Sequence, residues 1–329
     1  MESKQRYILI DCDTGSDDAL AIWMTIAAHR DPISPVKIVG IVCAHGNTTS
    51  ENVATNVIRT LHAVEEYKIP VFVGAQQAIV HPFTHPIEPF HGNDGFGDND
   101  FPPLSYKEAS NFSEEHGVLA MCRLAKEYDG KLTIIALAAH TNLAMAARLD
   151  PSICHRLEAI YTMGGNVDGE GNATVSAEFN FAVDPEAAFI TMSAFSCPIY
   201  VVPWEVTKNH AISHEWRAKV LGEIDTPQVH LLNAVEKKIL EKYTDSWIAC
   251  DQFAAAAAIE PKVIKKSISR YCTVELAGNW TRGLMVVDKL GLMKKPHNVI
   301  IITEFDQELS KSIMLWGAGG EHYECRKTL

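Results

Sequence analysis

Ile8-Leu-Ile-Asp11-Cys-Asp13-Thr-Gly-Ser-Asp17-Asp18-Ala-Leu-Ala-Ile22 is the stretch from which the rest of the chain can be read. A short apolar run, 7–10, meets four carboxylates, Asp11, Asp13, Asp17 and Asp18, and the pattern then turns helical over 19–29. A continuous apolar run of this length is what a strand buried on both faces looks like. The same alternation recurs outward from it. Strand-like runs at 38–43, 71–73, 132–137, 160–163, 199–202 and 299–302 are interleaved with helical patterns such as 50–67 and 142–148. The expectation is an α/β fold: one domain over 1–329, with a mostly parallel central sheet flanked by helices. Its active site should lie at the C-terminal ends of the strands.

Two regions interrupt the rhythm. Residues 76–105 are rich in Pro, His, Gly and Asp and read as a long loop over the site, since long loops in compact domains are usually functional. Residues 223–247 read as a helix, with Glu236-Lys-Lys-Ile-Leu-Glu-Lys242 as its solvated face.

The composition excludes several classes. Of 329 residues, 47% are apolar and 21% charged, as in ordinary globular proteins. Lys and Arg number 29 against 41 Asp and Glu, a net charge of −12 that argues against nucleic-acid or anionic-membrane partners. The longest clean apolar run, 253–259, is far shorter than a membrane span. The first residues carry no apolar leader, so a cytoplasmic location is expected. The eight scattered cysteines then read as reduced thiols, and the Asn-x-Ser/Thr sites at Asn47, Asn111, Asn172 and Asn279 as chance matches or asparagines needed for something else.

Four carboxylates this close together repel one another. Helix capping by Asp17 or Asp18 accounts for one or two. A bound divalent cation removes the mutual repulsion of all four, and oxygen-only ligands favour Ca²⁺ or Mg²⁺ over zinc. An EF-hand is excluded, because the sixth and twelfth positions counted from Asp11 hold Ser16 and Ile22 instead of Gly and Glu. An aspartyl-phosphate phosphatase, with Asp11 as nucleophile and Asp13 as acid/base, needs a lysine and a late acidic group, for which Lys131 and Asp288 are weak matches.

The whole segment, including Asp17-Asp18-Ala-Leu-Ala, resembles the N-terminal signature of the inosine-uridine-type nucleoside hydrolases. Further segments resemble that family in order: Ala44-His-Gly-Asn47-Thr-Thr, His91-Gly-Asn-Asp-Gly95, Leu137-Ala-Ala-His-Thr-Asn142, Met163-Gly-Gly165, Gly171-Asn172-Ala-Thr, and Ala177-Glu178-Phe179-Asn180-Phe-Ala-Val-Asp184. Asp251, before an alanine-rich helix, matches the family's late metal aspartate.

The resemblance implies Ca²⁺-dependent hydrolysis of a ribonucleoside to ribose and free base. It assigns the ion to Asp13, Asp18, Asp251 and the Leu137 carbonyl, with Asp13 also the base that activates a water. It gives Asp17, Asn47, Glu178 and Asn180 to the sugar, Asn172 to its 5′ end, and Met163 to packing beneath the ribose. His91 and Phe179 lie beside the substrate, and Asp11 orients the turn from behind. It also implies a homodimer or homotetramer and a role in nucleoside salvage.

One departure stands out. The inosine-uridine branch carries a histidine, proposed as leaving-group acid, immediately before the late aspartate; here that position is Cys250. A thiol is a weak candidate acid, so the base preference does not follow from the family. His230, Tyr243 and Trp247 fall on the segment expected to border the base, with Trp247 either stacking on it or belonging to the core. The loss of the histidine leaves a second reading open, a ribose- or nucleotide-binding protein without catalysis.

Overall fold

The computed structural model describes residues 5–82 and 89–320. Its seven leading strands are β1 (Arg6–Cys12), β2 (Val36–Cys43), β3 (Val71–Val73), β4 (Phe112–Ser113), β5 (Leu132–Ala136), β6 (Leu157–Met163) and β7 (Ile199–Val202). With Ile264–Arg270 and Val299–Phe305 they form one sheet in the order Ile264–Arg270, Val299–Phe305, β7, β6, β5, β1, β2, β3, β4. Every neighbouring pair is parallel except the first, which is antiparallel. The fold is therefore a single α/β domain with helices on both faces of the sheet.

The alternation of side chains along β1 divides the core. Ile8, Ile10 and Cys12 face a layer that includes the helices Ser16–Arg30 and Asp251–Ile259, while Leu9 faces the layer of Gly117–Glu127 and Thr141–Leu149. Chain order also reverses at β1: the strands run outward to β2, β3 and β4 on one side and to β5, β6 and β7 on the other. In an open parallel sheet the crevice at the carboxyl ends beside such a reversal is where ligands bind. The four aspartates follow β1 at that point.

Several boundaries differ from the sequence expectation. The edge strand Ile264–Arg270 (Ile-Lys-Lys-Ser-Ile-Ser-Arg) lies outside the expected set, since its inner positions are all exposed and its lysines are the mark of a protected edge, not of a buried run. The expected helix 223–247 is Pro227–Lys242, because Pro227 takes the first helical position and Thr226 caps it through Val229 N. Its charged stretch is not solvated along its length: Glu236 is 2% exposed and pairs with the fully buried Arg217. The expected loop 76–105 falls partly outside the described residues (83–88). Of the rest, Phe96 is buried, Phe90 is exposed, and Asn99 Nδ2 donates to the Ala234 carbonyl of that helix.

Candidate active site

At the carboxyl end of β1 the chain turns through Asp13 and Thr14 into the helix Ser16–Arg30. Asp11, Asp13 and Asp18 are almost wholly buried, and Asp251 joins them from the first turn of Asp251–Ile259. Asp18 Oδ2 accepts from Gly15 N at 2.8 Å, so the capping role read from the sequence is filled by Asp18. Asp13 is gripped by Asn47, whose backbone N donates to Oδ2 and whose Nδ2 donates to Oδ1. This closeness depends on Gly46, where a Cβ would come within 1.9 Å of Asp13 Oδ2.

One carboxylate oxygen from each of Asp17, Asp18 and Asp251 lies within 4.8 Å of the others. This trio contains Asp17, which the resemblance gave to the sugar, and not Asp13, whose two oxygens accept from Asn47. Asp17 Oδ1 and Asp18 Oδ1 are buried and have no hydrogen-bond partner among the described residues; His91 Nε2 approaches the former only to 3.4 Å. Burial above all, then the charges of Asp13 and Asp17, pushes Asp18 well above the usual carboxylate range. Burial and the charges of Asp17 and Asp18 do the same to Asp251. Burial also raises Asp13, against the opposing bond from Asn47. Crowded, buried carboxylate oxygens without donors fit a hard divalent cation, which would favour their ionised forms.

Asp11 stands behind this cluster. Its Oδ1 accepts from Asn142 Nδ2 at 2.8 Å, and burial pushes it up to about 7. Asn142 Oδ1 accepts in turn from Ala75 N, so one amide ties β1 to the root of the loop after β3. The sequence motif contains Asn142 but gave it no task.

A cavity of about 580 Å³ opens over the cluster, and every residue that the resemblance gave to the metal or the substrate lines it except Asp18, which lies just beneath. The Leu137 carbonyl accepts from Asn180 Nδ2, which also donates to the Met163 carbonyl. Asn180 therefore has only its Oδ1 acceptor left to offer. Asn172 Oδ1 accepts from Phe179 N, which leaves its amide hydrogens for the cavity. Glu178 caps the helix Phe179–Val183, accepting from the backbone of Gly165, Asn180 and Phe181, yet burial still raises it to about 7. The ring of His91 is seated against Gly15, where a Cβ would meet it at 2.8 Å, and its Nδ1 faces Ser16 N at 3.4 Å.

The cavity is also lined by the apolar and aromatic side chains of Phe90, Trp204, Ile239, Leu240, Tyr243 and Trp247, and by the polar Glu236, Lys242, Thr244, Asp245 and Ser246. Tyr243 and Trp247 reach the cavity as expected. His230 does not: it is exposed and pairs with Asp225. Trp247 is 5% exposed and donates from Nε1 to Glu236, so it belongs to the core and to the wall at once. The sequence reading missed Glu236, Phe90 and Trp204 at the cavity. Cys250 Sγ donates to Thr207 Oγ1 at 3.8 Å, and burial followed by the charge of Asp17 pushes its thiol well up. Neither Lys131, at the amino-terminal end of β5, nor Asp288 lines the cavity, so the phosphatase arrangement is not assembled.

The profile of the inosine-uridine preferring nucleoside hydrolases matches residues 8–312. The chain belongs to that family. It is similar to the inosine-uridine preferring nucleoside hydrolase of Leishmania major, with 31% identity over 86% of this chain and 88% of the relative. It is 28% identical to the pyrimidine-specific ribonucleoside hydrolase RihA of an Enterobacter species, over 92% and 94% of the two chains. Among solved structures it resembles an inosine-guanosine nucleoside hydrolase, with a TM-score of 0.88 and 27% identity over 96% of this chain and all of that one. These relatives carry three different base preferences in their names, so membership makes this chain a nucleoside hydrolase without choosing its base. Among the described residues no helix is long and apolar enough to cross a membrane.

Proposed function

We propose that this nucleoside hydrolase cleaves the N-glycosidic bond of ribonucleosides in a Ca²⁺-dependent reaction, with Asp13 as the general base. The observation that supports it best is the group of Asp13, Asp17, Asp18 and Asp251, all but Asp17 buried, beside a cavity that Phe90, Trp204, Ile239, Leu240, Tyr243 and Trp247 also line. The carboxylates suit a cation and a polar sugar, the apolar side chains a nucleobase. Asp13, Asp18, Asp251 and the Leu137 carbonyl would hold the cation. The chemistry calcium supplies when bound is neutralisation of the carboxylates and a seat for oxygen ligands such as a water and a vicinal diol.

The protein's own residues do the rest. Asp13 takes a proton from the attacking water, whose oxygen forms the new bond to the anomeric carbon as the C–N bond breaks and its electron pair leaves with the base. Asn47 fixes Asp13 for that task from both oxygens. Cleavage builds positive charge on the ribose, as in other glycosidases. The carboxylates and the sulfur of Met163 beside the cavity stabilise that charge. Asn172 and Asn180 orient the sugar through the amide hydrogens and acceptor left to them. The raised thiol of Cys250 is a poor acid, so the departing base takes its proton from another group or from solvent.

Asp13→Asn tests the base. It should fold and bind substrate, yet lose about 10²–10⁴-fold in kcat at saturating calcium. Near-normal turnover by that variant would remove Asp13 from the role.

A further inference from the structure

His140 is the residue before the helix Thr141–Leu149, on the turn that follows β5 and Leu137. It is 1% exposed and does not line the cavity. The proposed reaction gives it no task, yet it touches the chain neighbours of two cavity residues, Met163 and Asn180. Its Nε2 lies 2.8 Å from Oγ1 of Thr162, the residue before Met163. Its ring meets that of Phe181, the residue after Asn180, edge-on at 5.4 Å with 66° between the planes. The Phe181 ring in turn fills the space beside Gly164, where a Cβ would come within 2.9 Å of it.

The direction of the bond to Thr162 follows from what lies on either side of it. His140 Nδ1 is buried and has no hydrogen-bond partner among the described residues. If the hydroxyl donated to Nε2, the imidazole proton would sit on Nδ1 as a buried N–H without an acceptor. With the proton on Nε2 only a lone pair is left over, and orphaned buried N–H groups are the rarer of the two. Burial lowers the imidazole to about 4, so it stays neutral and keeps this tautomer at ordinary pH. The Thr162 hydroxyl hydrogen is then directed to the Met163 carbonyl, 3.3 Å away. That carbonyl also accepts from Asn180 Nδ2, which donates to the Leu137 carbonyl as well. Resting on the nucleoside-hydrolase reading, we infer that His140 is a positioning residue for the sugar. Through Thr162 it fixes the Met163 carbonyl, and through that carbonyl the Asn180 amide, so that Asn180 Oδ1 is presented to the ribose. Its contact with Phe181 holds the same helical turn from the other side.

The test reads ribose affinity by calorimetry on the full chain at saturating calcium. His140→Leu keeps a similar volume without an N–H, His140→Gln carries an amide N–H that reaches the place of Nε2, and Thr162→Val removes the hydroxyl. The net worth of one hydrogen bond corresponds to a roughly three- to tenfold loss of ribose affinity in His140→Leu and in Thr162→Val, with His140→Gln rescued to within about twofold of the unsubstituted protein. His140→Leu combined with Thr162→Val should be weaker than either alone by no more than about twofold, because both break one relay. If His140→Leu does not fold, Thr162→Val decides the matter. Unchanged ribose affinity in the folded variants, a loss in His140→Gln as large as in His140→Leu, additive losses in the double variant, or no ribose binding by the unsubstituted protein would each overturn the inference. Ribose release from nucleosides by the unsubstituted enzyme is scored separately, so failure of the hydrolase reading and failure of the relay give different results.

Discussion

Asn47 holds Asp13 by both carboxylate oxygens, its backbone N at 2.9 Å from Oδ2 and its Nδ2 at 3.1 Å from Oδ1. A residue on the turn after β2 thus sets the angle of a carboxylate on the turn after β1. Asn47→Ala keeps the backbone bond and removes the other. Hydrogen bonds to charged groups contribute about 1.5–3 kcal/mol, so kcat/KM for a nucleoside substrate should fall roughly 10- to 100-fold with the fold intact. Steady-state kinetics beside circular dichroism checks this; full activity would mean that Asp13 needs no such guide.

The buried acids predict an unusual pH dependence of stability. Burial raises Asp11 and Glu178 to about 7, whereas unfolded carboxyls titrate near 4. Between about pH 4 and 7 the folded state therefore holds more protons than the unfolded state, and these groups make stability fall as pH rises through that window. Calcium-free protein should melt at a lower temperature at pH 8 than at pH 5.5, and saturating calcium should shrink the difference. A calcium-free melting temperature that rises over the same range would contradict the burial argument.

How much of this was legible in the sequence follows from where each signal lies. The turn after β1 was legible because a strand buried on both faces must be a continuous apolar run, and four carboxylates directly after it repel one another unless a cation joins them. The edge strand Ile264–Arg270 was not, because only one side of it pairs and its lysines read as surface. Glu236 looked like one more charge on a solvated helix. Its burial depends on Arg217, 19 residues away and in a different element, and no local pattern connects the two. Asn142 and Asn47 show the same limit: a motif marks the position, but only the fold shows which carboxylate the amide reaches. Of the Asn-x-Ser/Thr asparagines, Asn47, Asn111 and Asn172 each bond within the protein, which gives those three a structural use.

Cys250 should matter little to turnover. Its thiol is buried and raised, and its position at the start of Asp251–Ile259 suits a small side chain. Cys250→Ala should reduce kcat on inosine by less than about tenfold and affect a p-nitrophenyl riboside, whose leaving group departs without protonation, to the same extent. A loss above roughly 100-fold on inosine that is absent on the nitrophenyl substrate would make the thiol the leaving-group acid after all.

The most direct measurement is ribose release from a small panel of purine and pyrimidine ribonucleosides, made on chelator-treated protein and again after calcium is restored. Free ribose should appear with at least one nucleoside, vanish on chelation and return with calcium, because the buried carboxylates of Asp13, Asp18 and Asp251 cannot organise the site without a cation. No ribose from any nucleoside in calcium, with ribose or nucleoside still bound, would instead identify a binding protein on this scaffold; release that persists through chelation would contradict the metal site.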